Sequence, residues 1–267
     1  MSYDFRDKYG LMEGTMLSLE GKSAIITGAG AGMGQAMSVL FAKQGCTVGL
    51  CDIDEKGVAK TIGIIKERYP SAKAVPLIGD VTDHNKVKDL TDAFVADAKA
   101  IDIMISCAGI VERTAFNQIT PEKWDRMIKI HLYGAFNWLK AVLPYMQKQN
   151  EGKIIVFGSD AGMVGLADNA HYSAAKAGIT GLVKAIAKEY APYKICANVI
   201  APGTIHTGLV PGRTEEDSIA RGNIVPLRRQ GEPLEVAHLA LLLASKAGDF
   251  ITGQQLAING GETIVGI

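Results

Sequence analysis

The stretch Ser23-Ala24-Ile25-Ile26-Thr27-Gly28-Ala29-Gly30-Ala31-Gly32-Met33-Gly34 decides how the rest of this 267-residue chain is read. Five β-prone residues run into a glycine-rich turn, and an amphipathic stretch of helical length, 34–44, follows. Glycines at a strand-to-helix junction let the chain turn tightly and bring backbone amides close to a pyrophosphate. The helix N-terminus then attracts the negative charge. A turn needed only for helix–strand packing is the bland alternative. The strand-before, helix-after setting is the one a phosphate loop requires.

Working outward, the same alternation repeats. Short apolar runs at 23–27, 47–51, 74–78, 101–106, 153–157, 195–200 and 255–258 are separated by amphipathic stretches at 55–68, 85–98, 121–149 and 172–190, with a later one at 233–245. The runs are apolar at nearly every position, as strands buried on both faces are. Strands alternating with helices imply crossover units and a parallel sheet. The expectation is one α/β, doubly wound (Rossmann) domain over 21–267, with about seven parallel strands and helices on both faces, preceded by an extension at 1–20. The stretch 205–229 breaks the rhythm with Gly208, Pro211, Gly212, Gly222 and Pro226, which suggests a partly helical flap over a site.

Composition narrows the function. With 28 Lys+Arg against 28 Asp+Glu, the chain has no basic footprint for nucleic acid and no polybasic membrane patch. No apolar run reaches the roughly 18 residues of a spanning helix. Cys46, Cys51, Cys107 and Cys196 form no CxxC or Cys/His cluster, so neither a disulfide framework nor a metal site is expected. A reducing, cytoplasmic setting is the simpler reading.

Asp52 ends the second apolar run, 18 residues after Gly34. An acid there can accept hydrogen bonds from ribose hydroxyls and repel a 2′-phosphate. Ala31 and the lack of an arginine directly after the run point the same way, to NAD rather than NADP. The competing reading is a solvated loop acid beside Asp54 and Glu55.

Tyr172 and Lys176 lie four residues apart at the start of a helical stretch, on one face. An ammonium favours a nearby phenolate. A drop of about three units from the tyrosine value near 10 is worth roughly 4 kcal/mol. Such a tyrosine can take an alcohol proton or return it to a ketone. Ser159, 13 residues earlier and just past the run 153–157, sits where a parallel sheet faces its ligand crevice. Its hydroxyl can orient a reacting oxygen. Singly, these residues also read as a helix-surface pair and a capping serine.

Taken in order, the motifs resemble the short-chain dehydrogenase/reductase family. They are the Thr27–Gly34 glycine loop, Asp80-Val81, Ser159 with Tyr172 and Lys176, Pro202-Gly203 followed by Thr207, Ile251-Thr252-Gly253-Gln254, and Asn259-Gly260-Gly261. The match covers nearly everything from Lys22 to Gly261. The resemblance implies that Tyr172 is the general acid/base, that Lys176 lowers its pKa and binds the nicotinamide ribose, and that Ser159 positions the substrate oxygen. It implies Asp80 and the Val81 backbone at the adenine. It places Gly28, Gly32, Met33 and Gly34 at the pyrophosphate, Asp52 and Ile53 at the adenosine, and Pro202, Gly203, Ile205 and Thr207 along the nicotinamide. It also implies a homodimer or homotetramer built on the helices 121–149 and 172–190.

Two departures stand out. The family's Asn-Asn-Ala-Gly reads Ser106-Cys107-Ala108-Gly109, in which Ala108 and Gly109 still permit close approach to the cofactor. His131 replaces an asparagine that supports a proton-relay water. It either keeps the relay and adds pH sensitivity, or is a core histidine bonded to a backbone carbonyl. Asp160, Met163, Ala167, His171 and Leu209 are candidate substrate contacts.

The expected activity is NAD-dependent hydride transfer between a secondary alcohol and its ketone. Apolar residues in 205–229 suggest a hydroxysteroid or bile acid. The alternatives are a 3-oxoacyl carrier thioester or a polyol and, outside enzymes, an NAD-binding regulatory protein.

Overall fold

A computed structural model describes residues 16–207 and 214–264. Most of the extension 1–20, and Leu209 within the stretch 205–229, lie outside the described residues. Seven strands form one sheet: β1 (Ser23–Thr27), β2 (Thr47–Asp52), β3 (Ala74–Ile78), β4 (Ile103–Ser106), β5 (Gly152–Phe157), β6 (Ile195–Pro202) and β7 (Gln255–Ile258). They run in the order β3-β2-β1-β4-β5-β6-β7, with every neighbouring pair parallel. The order reverses between β1 and β4, and ligands of open α/β sheets bind at such a switch point. The strands that the sequence marks as apolar on both faces, β1, β4 and β5, are buried throughout. β3 is an edge strand and half-exposed, which is why it tolerates Pro76.

Helices cover both faces. On one lie α1 (Gly32–Lys43), α2 (Glu55–Arg68) and α9 (Pro233–Ala244), whose Met37, Phe41, Ile65, Val236 and Leu241 pack with Ile26, Leu50 and Ile105. On the other lie α3 (His84–Ala98), α5 (Gly134–Gln149) and α7 (Ala170–Tyr190), where Phe94, Trp138, Val142 and Val183 meet Ile25, Met104 and Val156. Each such aromatic or aliphatic side chain, fully buried, contributes about 1.5–3 kcal/mol.

The amphipathic stretch 121–149 is helical throughout, but not α-helical throughout. It divides into α4 (Pro121–Ile128), a π-helical turn (Lys129–Tyr133) and α5. Thr120 caps α4 by accepting from the Lys123 amide, and proline occupies its first turn. The π turn holds His131, and such turns are common at functional sites.

Two short helices complete the chain. α6 (Ala161–Val164) follows β5 directly. α8 (Glu215–Ile224), started by a Thr214/Asp217 capping box, lies within the irregular stretch 205–229. At the opposite rim of the sheet, Lys99, Asn150 and Lys194 take left-handed φ values of 71°, 56° and 57° where the chain turns back toward β4, β5 and β6.

Candidate active site

The crevice forms where β1, β4, β5 and β6 end. At its floor the glycine loop is packed so tightly that side chains are excluded. A Cβ on Gly34 would lie 2.0 Å from the Gly28 carbonyl oxygen, and one on Gly28 3.1 Å from Ala108 Cα. Gly28 and Gly32 have φ of 71° and 54°, the left-handed region that favours glycine. α1 begins with no side-chain cap and no acid in its first turn, which leaves its first amides for an anion. Gly32 faces Thr207 across the crevice, where a Cβ would lie 3.2 Å from the threonine Cβ. Met33 packs half-buried on the core.

Asp52, at the end of β2, accepts from the Gly30 amide at 3.0 Å and from the Asp54 amide at 3.0 Å. Its carboxylate is thus fixed against the loop, with Ile53 exposed beside it. Asp80 accepts from the Thr82 amide, and the Val81 carbonyl accepts from Asn137 Nδ2 at 3.0 Å. Thr27, wholly buried, accepts on its hydroxyl from both the Cys107 and Ala108 amides at 3.0 Å each. It therefore holds the segment in which Cys107 stands. Burial pushes the Cys107 thiol up to about 12, so it is not a reactive thiolate.

Ser159, Tyr172 and Lys176 are brought together by β5, α6 and α7. Ser159 Oγ donates to Asp160 Oδ1 at 2.9 Å and accepts from the Ala161 amide at 3.1 Å, with the Tyr172 side chain beside it. Lys176 Nζ lies 5.6 Å from the centre of the Tyr172 ring and donates to the Phe157 carbonyl at 2.7 Å.

The electrostatics differ from the sequence expectation. Tyr172 is pushed up to about 12, because burial disfavours the phenolate and outweighs the lowering influence of the neighbouring Ser159 hydroxyl. Lys176 falls to about 8, again through burial. One of the three Lys176 N–H donors goes to the Phe157 carbonyl, and burial, not the ammonium, dominates the Tyr172 shift.

His131 is 4% exposed. Its Nε2 lies 2.9 Å from the Ile110 carbonyl oxygen and 3.2 Å from the Ile110 amide nitrogen, and its ring meets Tyr172 edge-on with centroids 5.2 Å apart. This is the backbone-bonded histidine of the second sequence reading, yet Nδ1 is buried without a hydrogen-bond partner. Burial and the Lys176 charge hold its pKa well below 6.5, so the ring is neutral at physiological pH.

The candidate substrate contacts separate. Asp160 is buried, and its carboxylate is occupied by Ser159 and the Ala161 amide. Burial raises its pKa, with nearby Glu262 adding to the rise. His171 is fully buried, its Nδ1 accepting from the Tyr172 amide, so it does not reach a substrate. Met163 is half-buried and Ala167 exposed. The segments 110–114 and 164–168 lie side by side, joined by the Thr114 amide to the Asp168 carbonyl at 2.8 Å. They expose Val111, Val164 and Leu166, an apolar rim.

Past β6, the strap Pro202–Thr207 is held by residues that sequence reasoning missed. Glu262 accepts from the Thr204 amide at 2.9 Å and from its hydroxyl at 3.0 Å. The strap is also paired to Gly231, whose amide donates to the Thr204 carbonyl and whose carbonyl accepts from the His206 amide. Thr27 and Asn137 were likewise unassigned. A buried polar residue inside an apolar run was the available signal for both.

Comparisons agree with this geometry. A family model described as Enoyl-(Acyl carrier protein) reductase matches residues 28–263. The chain is 36% identical over 252 residues to a 3-oxoacyl-[acyl-carrier-protein] reductase of Thermotoga maritima, covering 93% of this chain and all of that protein. It is 37% identical to an uncharacterized oxidoreductase of Bacillus subtilis, with 91% of each covered. Levodione reductase superposes with a TM-score of 0.88 at 29% identity, covering 91% of this chain and 98% of that one. A short-chain type dehydrogenase/reductase from Mycobacterium marinum gives 0.87 at 32% identity, with 93% and 98% covered. The parallel sheet, the glycine loop and these relatives together establish that the chain belongs to the short-chain dehydrogenase/reductase family, oxidoreductases that use a nicotinamide cofactor on CH–OH and keto groups.

Proposed function

We propose that the protein interconverts an apolar ketone and its secondary alcohol with NAD(H), and that Ser159, Tyr172 and Lys176 carry the proton chemistry. The convergence of Ser159, Tyr172 and the buried Lys176, with Lys176 Nζ 5.6 Å from the tyrosine ring, is the observation that carries this reading. The nicotinamide ring, when bound, supplies or accepts the hydride. Tyr172, with its pKa near 12, is a protonated phenol at neutral pH, the form that donates to a ketone oxygen. Ser159 orients that oxygen. Lys176 holds a mobile proton next to the tyrosine, and His131 packs the ring edge in place.

The crevice fits the cofactor. Gly28, Gly32 and Gly34 cradle the pyrophosphate where no Cβ can stand, and Asp80 with Val81 receives the adenine. Cys107, Ala108, Gly109 and the strap Pro202–Thr207 line the nicotinamide half. Asp52, fixed against Gly30, receives the ribose hydroxyls and repels a 2′-phosphate, which supports NAD over NADP.

The apolar rim of Val111, Val164 and Leu166 suits a ketone with an apolar body. A hydroxysteroid is one such body. The apolar residues of 205–229, a stretch of which 208–213 lie outside the described residues, suggest it, and none of the relatives reported above is named for that activity. The likeness to the Thermotoga maritima enzyme favours a second reading, a 3-oxoacyl thioester. Exposed Trp124, Tyr133 and Phe136 along α4, the π turn and α5 support a homo-oligomer.

The test is NADH and NADPH oxidation across a panel of cyclic ketones, steroids and 3-oxoacyl thioesters. Turnover of NADH with one class, abolished in Tyr172→Phe, supports the proposal. Turnover that survives Tyr172→Phe refutes the assignment.

A further inference from the structure

We infer that Glu262 is a specificity-determining residue for the redox state of the cofactor. It clamps the Thr204 strap at two points and places a carboxylate behind the strap that would line the nicotinamide half of the crevice. The inference rests on the cofactor reading above and extends it to the direction of hydride transfer.

Three observations converge on it. First, Glu262 binds Thr204 through both carboxylate oxygens, to the amide at 2.9 Å and the hydroxyl at 3.0 Å. A Cβ on Gly203 would lie 2.7 Å from Glu262 Oε2, so the carboxylate is pressed against the strap backbone. Second, Asp160 meets the same strap from the other side, its amide donating to the Pro202 carbonyl at 3.3 Å. The Glu262 charge reaches Asp160, whose carboxyl it helps hold above its ordinary pKa. Third, Asp160 is bonded to Ser159, so the pair reaches the reacting oxygen. The nearby cation, Lys176, is committed to the Phe157 carbonyl.

The consequence follows from charge balance. In ketone reduction a hydride leaves the nicotinamide for the carbonyl carbon, and Tyr172 delivers a proton to the oxygen. The dihydronicotinamide, neutral at the start, becomes a pyridinium with one positive charge. Two carboxylates held behind the strap stabilise that product charge. They bind NAD+ more tightly relative to NADH and tilt the bound equilibrium toward alcohol plus NAD+. Removing one unit charge from behind the strap, at an effective dielectric near 20, is expected to change relative affinity by about tenfold.

The experiment measures dissociation constants of NAD+ and NADH by calorimetry at pH 8 for four proteins. They are the parent, Glu262→Gln, Asp160→Asn and Thr204→Val. Glu262→Gln keeps the size of the clamp and removes the charge. It should raise the ratio Kd(NAD+)/Kd(NADH) about tenfold, and Asp160→Asn should move it the same way. Thr204→Val removes one clamp bond and keeps both charges, so it should weaken both cofactors alike and leave the ratio unchanged. A ratio unmoved by both charge variants overturns the inference while leaving the cofactor reading intact. A ratio moved as far by Thr204→Val overturns the charge account in favour of positioning alone. A parent that binds neither cofactor overturns the cofactor reading itself and this inference with it. If Glu262→Gln does not fold, Asp160→Asn decides the question.

Discussion

Replacing Gly109 with alanine should drive a methyl group into the His131 ring. A Cβ at this position lies 2.3 Å from His131 Cε1 and 2.9 Å from Nδ1, against a comfortable carbon–carbon separation of about 3.5–4.0 Å. The imidazole must therefore retreat by roughly 1 Å. It has little freedom to do so, being 4% exposed, bonded through Nε2 to Ile110 and packed edge-on against Tyr172 at 5.2 Å. Overpacking of this kind costs about 1–3 kcal/mol. For a domain of this size a 2 kcal/mol loss lowers Tm by about 4–8 °C. Any displacement passed on to Tyr172 lowers kcat as well, since a misplacement near 1 Å can cost about a hundredfold. The discriminating measurement is a double-mutant cycle with His131→Ala, read by urea denaturation and steady-state turnover. With the ring removed, the Gly109→Ala cost should fall to about 0.5 kcal/mol or less, a coupling above about 1 kcal/mol. An equal loss of stability in both backgrounds would refute the argument, because the penalty would then arise from the backbone rather than from the ring.

Other perturbations test other parts of the site. Asp52→Ala removes the carboxylate held on Gly30 and should shift kcat/KM selectivity from NAD toward NADP by about tenfold or more, as the loss of one charge–phosphate repulsion predicts. Thr27→Val strands the Cys107 and Ala108 amides and should cost about 2–3 kcal/mol in chemical denaturation, with Thr27→Ser restoring most of it. Lys176 binds its proton less tightly folded, at about 8, than unfolded, at 10.5, so the unfolded chain holds more protons between those values. Stability relative to Lys176→Met should therefore rise as pH goes from 8 to 10.5, by up to about 3 kcal/mol, and stay level below 8. A difference that is flat across that window, in paired urea titrations, would show that the buried ammonium does not titrate as described.

The sequence carried the sheet because hydrophobic runs buried on both faces leave no ambiguity of period. β1 and β7 end where the pattern places them, and β4 loses only Ile101 and Asp102. Asp102 is instead taken up by the Ser23 amide and by Lys22. The glycine loop was equally legible, since close backbone approach restricts residue type directly. What the pattern missed was tertiary. The stretch 121–149 keeps a helical period throughout, yet a π turn interrupts it at Lys129–Tyr133, where the imidazole of His131 docks on the Ile110 backbone. The four-residue spacing of Tyr172 and Lys176 correctly put them on one face. Spacing says nothing about desolvation, which moves both groups opposite to the simple pairwise expectation. Glu262 lies beyond the last strand with no periodicity to mark it, and only the folded strap reveals what its carboxylate holds.

Three of the left-handed turns, at Lys99, Asn150 and Lys194, gather at one rim of the sheet. All three lie at the rim where strands begin, while the phosphate loop, the Ser159–Tyr172 pair and the Thr204 strap lie where strands end. A sheet whose central strands are buried from end to end separates these three turns from the crevice, where Gly28, Gly32 and Asp168 carry left-handed φ values of their own. Lineages of this chain are free to drift, lengthen their turns or acquire appended segments at the quiet rim without renegotiating the chemistry at the other. Sequence variation among close kin ought therefore to be lopsided, crowded into the connections leading into β4, β5 and β6 and sparse in those leading out.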